Sequence, residues 1–506
     1  MRRTVWICLV VFIISFMISS AFAEEYTLEQ TLERLLDKST RGQIIKGQFE
    51  VSQAKFNAEK IGYYLPEISL NSTVPSLTET ENFAQFYGFT DPILAKRRTN
   101  SRTGDIRLQH KVITGGDITI RGYVYWRDAK YPSTINVYDE DRGEYVSYLV
   151  TAKDKTLRNT LSFEFSQPIF NTSDSRSAYN SAKTNMEQAQ IQWRVDQADL
   201  KKEGVTAFFD LLMVGLDKDM ADKNSKLAVF NAQWDSVKYA DGIMTEEEWV
   251  ESQSTRLEKR LALYDAEASY EEKLNEYKHL LDIPNEQSIA LQSPPTPSMP
   301  AASKIQWLKA NAEYTAETEL ARMKMESSER DLKNTRSGGG LNGTLRATYQ
   351  LGKEDVTISK EYQNDDIYLN DINDNNNDTK DWQISVELSY PLWDGGASKA
   401  NVRSSELAYE SSRLEYLAAQ RNAKNKMEIA IKRMEINFSK LQLLEDELKL
   451  ADKKLKEAKD KFQEGLISEG DLLENEVYYL EAAKNRLTTL KDYYHDLIEL
   501  EKTDTP

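Results

Sequence analysis

The chain has 506 residues, with 65 basic against 82 acidic side chains and a formal net charge of −17. Such an acidic balance excludes nucleic acid as the natural partner. The only cysteine, Cys8, lies within the first 23 residues, so the chain beyond them has no disulfide, thiol nucleophile or cysteine metal site.

Residues 1–23 read as a secretory signal peptide. Arg2 and Arg3 supply the positive start, an apolar stretch follows from Val5 to Ile18, and Ala21-Phe22-Ala23 is a small-residue cleavage site. Without this segment, 63 basic residues face 82 acidic ones, a net charge of −19. No other run of eighteen apolar residues occurs, so any membrane crossing by the mature chain must use strands.

From Tyr26 to about Gly62 the pattern is helical and opens with a capping box, Thr27-Leu-Glu-Gln30. Pro66 marks a change of period. Ile106, Leu108 and Val112 alternate with Arg107, Gln109 and Lys111. Across the turn Thr114-Gly115-Gly116-Asp117, Ile118, Ile120, Val124 and Trp126 alternate with Thr119, Arg121, Tyr123 and Tyr125. Period-two alternation places one face in apolar surroundings and the other in water. A soluble sheet on a core and a transmembrane barrel wall satisfy it equally.

An internal repeat then sets the architecture. Leu161-Ser-Phe-Glu-Phe-Ser-Gln-Pro-Ile-Phe170 matches Ile384-Ser-Val-Glu-Leu-Ser-Tyr-Pro-Leu-Trp393, and Gly242-Ile-Met-Thr245 matches Gly465-Leu-Ile-Ser468, each pair 223 residues apart. Between strand and tip both copies are helical, over about 171–239 and 397–464. In the second, Met427, Met434, Leu441, Leu448, Leu455 and Phe462 fall seven apart, with Ile431 and Phe438 on a second seam, as in a coiled coil. About 69 residues at ~1.5 Å each give a helix on the order of 100 Å long, which needs partner helices along its length. Thr245 and Ser468 cap the helices that return from the tips.

Residues 283–303 carry five prolines and form a linker. The first repeat spans 24–282, the second 304–500, and 501–506 is a tail. The second repeat has a helix around Ile305–Thr335, a strand at Leu341–Gln350 and a long loop. Aligning Gln48 with Arg322 gives an offset of 274 there, so the first repeat carries about 51 extra residues, coinciding with the Gly115-Gly116 hairpin. Asp371-Ile-Asn373-Asp-Asn375 resembles a calcium loop but lacks its glycine and closing glutamate, and reads as an acidic external loop. His110, His279 and His495 have no ligand spacing. Neither a catalytic set, a metal site nor a cofactor motif stands out.

The ordered set of strand end, rod, tip and returning helix, occurring twice, resembles the outer membrane efflux protein (TolC) family. Pro391–Gly396 and Gly465–Ser468 carry the family's turn and tip patterns. The resemblance implies a mainly α fold with a β membrane part: long coiled-coil helices forming a periplasmic α-barrel, and strands from a homotrimer closing one transmembrane β-barrel. It implies an outer-membrane channel, located in the cell outer membrane with a long periplasmic portion. That channel is the exit duct of a tripartite efflux or type I secretion system, partnered by a periplasmic adaptor protein, an inner-membrane transporter and outer-membrane lipid. By position, Gly242, Ile243, Met244, Gly465, Leu466 and Ile467 are the adaptor-contacting tips. Asp471 and Glu474, with Glu248 and Glu251 in the first copy, are the acidic gate candidates. Phe462 is an aromatic gate candidate, with Tyr239 as its first-copy counterpart. Ile467 stands where some relatives carry a locking arginine. The alternative is a periplasmic coiled-coil scaffold with no channel.

Overall fold

The computed structural model describes residues 24–170, 174–363 and 368–502. The expected signal segment and most of the tail lie outside the described residues. The chain divides into two compact units. One gathers residues up to 52, 186–325 and 411 onward, and the other 53–185 and 326–410. Four long helices contribute segments to both.

In chain order the elements are β1 (Glu24–Tyr26), α1 (Leu28–Asp37), α2 (Thr40–Tyr64), β2 (Glu67–Ala84), β3 (Ile93–Lys111), β4 (Asp117–Asp139), β5 (Glu144–Pro168), α3 (Asp174–Ala240) and α4 (Glu246–Leu280). Then follow β6 (Ile289–Leu291), α5 (Ala302–Ala310), α6 (Ala316–Gly338), β7 (Asn342–Gln363), β8 (Tyr368–Ser389), α7 (Ala397–Gln463) and α8 (Glu469–Glu501). The boundaries of α3 and α7 are each separated by 223 residues, as are the starts of α4 and α8.

The helical unit is organised by one core. Leu35 of α1, Val205, Phe208 and Phe209 of α3, Tyr277 of α4, Leu308 of α5, Ile431, Met434 and Leu441 of α7, and Leu490 and Tyr493 of α8 are all buried in it. The heptad seam of α7 is buried at Met427, Met434, Leu441 and Leu455, as a coiled-coil stripe requires. The single helix read from 26 to 62 is two, α1 and α2. Ser39 ends the first by donating its hydroxyl to the Leu35 carbonyl and accepting from the Gly42 amide. The proline-rich linker is also more ordered than its composition suggests. Within it, β6 pairs in parallel with β1, Tyr26 opposite Leu291, and Arg486 donates to the Pro294 carbonyl.

The other unit holds a six-stranded, wholly antiparallel sheet in the order β2-β3-β4-β5-β7-β8. Two sequence expectations are corrected here. The second repeat has no long loop after Gln350: β7 runs on to Gln363, and β8 returns from Tyr368. Asp371–Asn375 are therefore strand residues, with Asp371 paired to Lys360 and Asn375 to Val356. Their side chains show no alternation because this far part of the sheet has polar groups on both faces of β8, so ladder hydrogen bonds rather than burial hold it. Among the described residues no cluster of metal-ligating side chains occurs.

Candidate functional site: channel wall and helical tips

The wall follows from the sheet register. One row runs Leu70, Ile106, Gly122, Leu161, Leu351 and Lys380. The next, nearer the helical segments of the same unit, runs Ile68, Leu108, Ile120, Phe163, Tyr349 and Trp382. Ile118, Phe165, Ala347 and Ile384 extend the same face. Leu70 is 72% exposed, Trp382 74% and Ile384 66%, so this face is apolar yet uncovered. A soluble sheet would pack such a face on a core, whereas a membrane wall turns it to lipid. Arg102 lies over the Trp126 ring, 4.9 Å from its centroid, at the far rim of the apolar belt, where membrane proteins place aromatic and basic anchors.

The opposite face at the same level is charged and internally paired. Arg121 reaches Asp105 at 2.8 Å and Arg158 reaches Glu354 at 2.6 Å, and just beyond the belt Arg127 reaches Asp154 at 2.6 Å with Thr156 beside them. Ionised groups are costly in hydrocarbon, which makes this the water side. Farther from the helices the faces exchange character. Glu79, Arg98, Lys130 and Lys153 continue the belt face, while Ala95, Ala129, Ile135, Val137 and Ala152 are buried on the other. Only the helix-proximal part of the sheet, about nine residues along β4 and β5, has the polarity of a membrane wall, close to the 9–11 residues that a tilted strand needs.

The tips are built alike in both repeats. Gly242 and Gly465 have φ of +70° and +74°, the left-handed conformation that suits glycine. In the first, the amide of Gly242 donates to the Tyr239 carbonyl and that of Ile243 to Lys238. In the second, Gly465 donates to Phe462 and Leu466 to Lys461. This double closure is a Schellman motif. The residue after each glycine is exposed, Ile243 at 76% and Leu466 at 68%, while Met244 and Ile467 are half-buried.

The acidic candidates separate into two kinds. Glu248 accepts the Thr245 amide at 2.9 Å and hydroxyl at 2.8 Å, and Asp471 accepts the Ser468 amide at 2.9 Å and hydroxyl at 2.7 Å. These are complete capping boxes. The Thr245 amide and hydroxyl hold the Glu248 carboxyl below its ordinary range, and the Ser468 hydroxyl and amide do the same for Asp471. Both carboxylates therefore serve the helix starts. Glu251 and Glu474 lie one turn on and are exposed.

Two tip residues escaped the sequence reading. Trp249 stacks on Tyr239 with ring centroids 5.2 Å apart, and its indole N–H donates to Ser236 at 3.2 Å. Gly470 is buried, and a Cβ there would stand 3.1 Å from the Phe230 ring. The first could have been sought as a bulky aromatic just inside a capped helix; the second has no sequence signal beyond being glycine.

Residues 344–504 match the family model described as outer membrane efflux protein. The match covers most of the second repeat, which is therefore similar in sequence to outer membrane efflux proteins. The fold of the remainder agrees. VceC of Vibrio cholerae is 12% identical with a TM-score of 0.55, covering 94% of this chain and 95% of its own. CmeC of Campylobacter jejuni, an outer membrane channel, is 11% identical with a TM-score of 0.54, covering 94% and 85%. A membrane protein of Pseudomonas aeruginosa is 12% identical with a TM-score of 0.53, covering 96% and 91%. No curated protein matches the sequence. Among the described residues no helix is long and apolar enough to cross a membrane.

Proposed function

We propose that the chain is one protomer of a homotrimeric exit duct that receives substrates from a periplasmic adaptor and an inner-membrane transporter and releases them outside the cell. The observation that carries this reading is the sheet with one uncovered apolar face and one ion-paired face. Its edges are open in a single chain, and open edges in lipid leave backbone groups unsatisfied. Closure by identical copies removes them. The duct works by gated diffusion, with energy supplied by the transporter. Ile243 and Leu466 are the apolar contacts offered to the adaptor, each standing beside a glycine that lets a partner helix approach closely.

Within that duct Glu474 and Glu251 are the acidic ring, because Asp471 and Glu248 are engaged in capping boxes. Three like charges around an axis attract cations and repel anions. The Glu474→Gln trimer should lose cation preference in planar-bilayer recordings, while Asp471→Asn should loosen the tip and leave selectivity nearly intact. An unchanged reversal potential for Glu474→Gln removes that residue from the pore. The reading as a whole is tested by fractionation. The mature protein should resist salt extraction from outer membranes and give a trimer by native mass. A salt-released monomer supports the periplasmic scaffold instead.

A further inference from the structure

The two repeats differ by one hairpin. The second places two strands between its helices, β7 and β8, whereas the first places four. The repeat strand β5 corresponds to β8, and β2, which follows α2, corresponds to β7, which follows α6. The additional pair is thus β3 and β4, joined through Gly115-Gly116. We propose that this hairpin is part of the membrane wall, so that three copies close an 18-stranded barrel with β2 of each copy paired to β8 of the next. The proposal rests on the trimeric duct reading and specifies its wall.

Three observations carry it. The hairpin is in register on both sides, β3 with β2 and β4 with β5, inside one continuous sheet. Ile106, Leu108, Ile118 and Ile120 occupy the same rows as Leu161, Phe163 and Phe165, so the hairpin carries the same lipid-type face as the repeat strand. A hairpin hanging in water on either side of the membrane has no use for that face.

Parity agrees. Six strands alternating in direction leave β2 and β8 opposed, so β8 of a neighbouring copy meets β2 antiparallel; an odd number would not. Both edges also bear the belt, through Ile68 and Leu70 on one and Trp382, Ile384 and Val386 on the other, all exposed.

Membrane barrels tilt their strands by about 35–45°. At about 35°, eighteen strands give a perimeter of about 105 Å and a backbone diameter of about 34 Å, against about 23 Å for the twelve that two strands per repeat would supply. The cross-section roughly doubles, which fits a bulkier cargo than the narrower wall passes.

Spin labels on single cysteines test this directly, since Cys8 is the only native one and lies in the expected signal. Ile106→Cys and Ile120→Cys probe the hairpin, Leu161→Cys the repeat strand, and Thr119→Cys the water side, all in the trimer in phospholipid vesicles. The expected result is oxygen-dominated relaxation at 106, 120 and 161, and relaxation by a water-soluble nickel chelate at 119. Nickel access at 106 and 120 with oxygen access at 161 overturns the wall assignment and leaves the duct standing. Nickel access at all four overturns both. Edge pairing is read separately. A cysteine at Ser69, Asn71 or Thr73 is combined with one at Asp381, Gln383 or Ser385. At least one combination should oxidise to a covalent trimer, and failure of every combination in folded trimers refutes the β2–β8 seam.

Discussion

The two long helices, α3 and α7, have equal length and matched ends but opposite ways of filling the same positions. On α7 the seam is Met427, Met434, Leu441, Leu448 and Leu455. The residues 223 earlier on α3 are Gly204, Leu211, Lys218, Ser225 and Ala232. Gly204 is small because α1 presses there: a Cβ would stand 2.6 Å from Leu35. Lys218 lies over the Tyr270 ring, 4.9 Å from its centroid. At these positions α7 projects a continuous row of large side chains, whereas on α3 only Leu211 does so and the helix fills the core from other positions, Val205, Phe208 and Phe209. The tips divide the same way. The first closes on itself through Trp249 and Tyr239, while the second presses onto α3 through Gly470. The duplication thus keeps backbone geometry, caps and turns, and lets side-chain packing diverge.

Paired substitutions at the 223-residue offset break or sharpen this comparison. The largest effect is expected for Leu441→Ala, which empties a fully buried site and should cost about 2–5 kcal/mol. Its counterpart Lys218→Ala should cost no more than about 1 kcal/mol, the worth of a cation–π contact. Denaturant unfolding of both variants reads the difference, and equal losses would refute the division of labour.

Next is Gly470→Leu, which drives a side chain into Phe230 and should cost about 1–3 kcal/mol. The counterpart Glu247→Leu, on an exposed site, should stay within about 0.5 kcal/mol. Where the repeats agree, so should the variants. Thr245→Ala and Ser468→Ala should each cost about 1 kcal/mol and raise amide exchange at the start of α4 or α8 by similar factors.

The smallest effect concerns acid. Glu248 and Asp471 have carboxyl pKa values lowered by their caps. A lowered folded value means stabilisation that is fully present above the ordinary carboxylate range and is lost as pH falls through the lowered value. Exchange at both tips should therefore rise together only below about pH 4. A tip that loosens near neutrality would contradict the capping assignment.

The strand-to-tip part of each repeat was legible because duplicated sequence fixes duplicated geometry: the tip glycines, the capping residues and the helix ends all stand where the 223-residue echo puts them. The far half of the sheet was not. Between Asn370 and Lys380 hydrophobic alternation fails, since β8 carries polar groups on both faces there and holds by ladder bonds. On β4 and β5 the apolar face changes sides, so Ile135 and Val137 look out of phase with Ile118 and Ile120. The acidic gate was read from spacing alone. Spacing places Asp471 and Glu474 on one face but cannot tell that Asp471 is already held by Ser468. Gly470 and Trp249 act through partners on other helical turns, which no local pattern records.

The central claim is that all six strands of each chain form the membrane wall, and counting them is the most direct measurement. Electron microscopy of the protein in lipid nanodiscs should show a threefold ring of 18 tilted strands, about 34 Å across the backbone, with β2–β8 seams between copies. A threefold ring of twelve strands with the β3–β4 hairpin outside it would contradict the wall assignment. A soluble particle with no ring in the bilayer would contradict the channel itself.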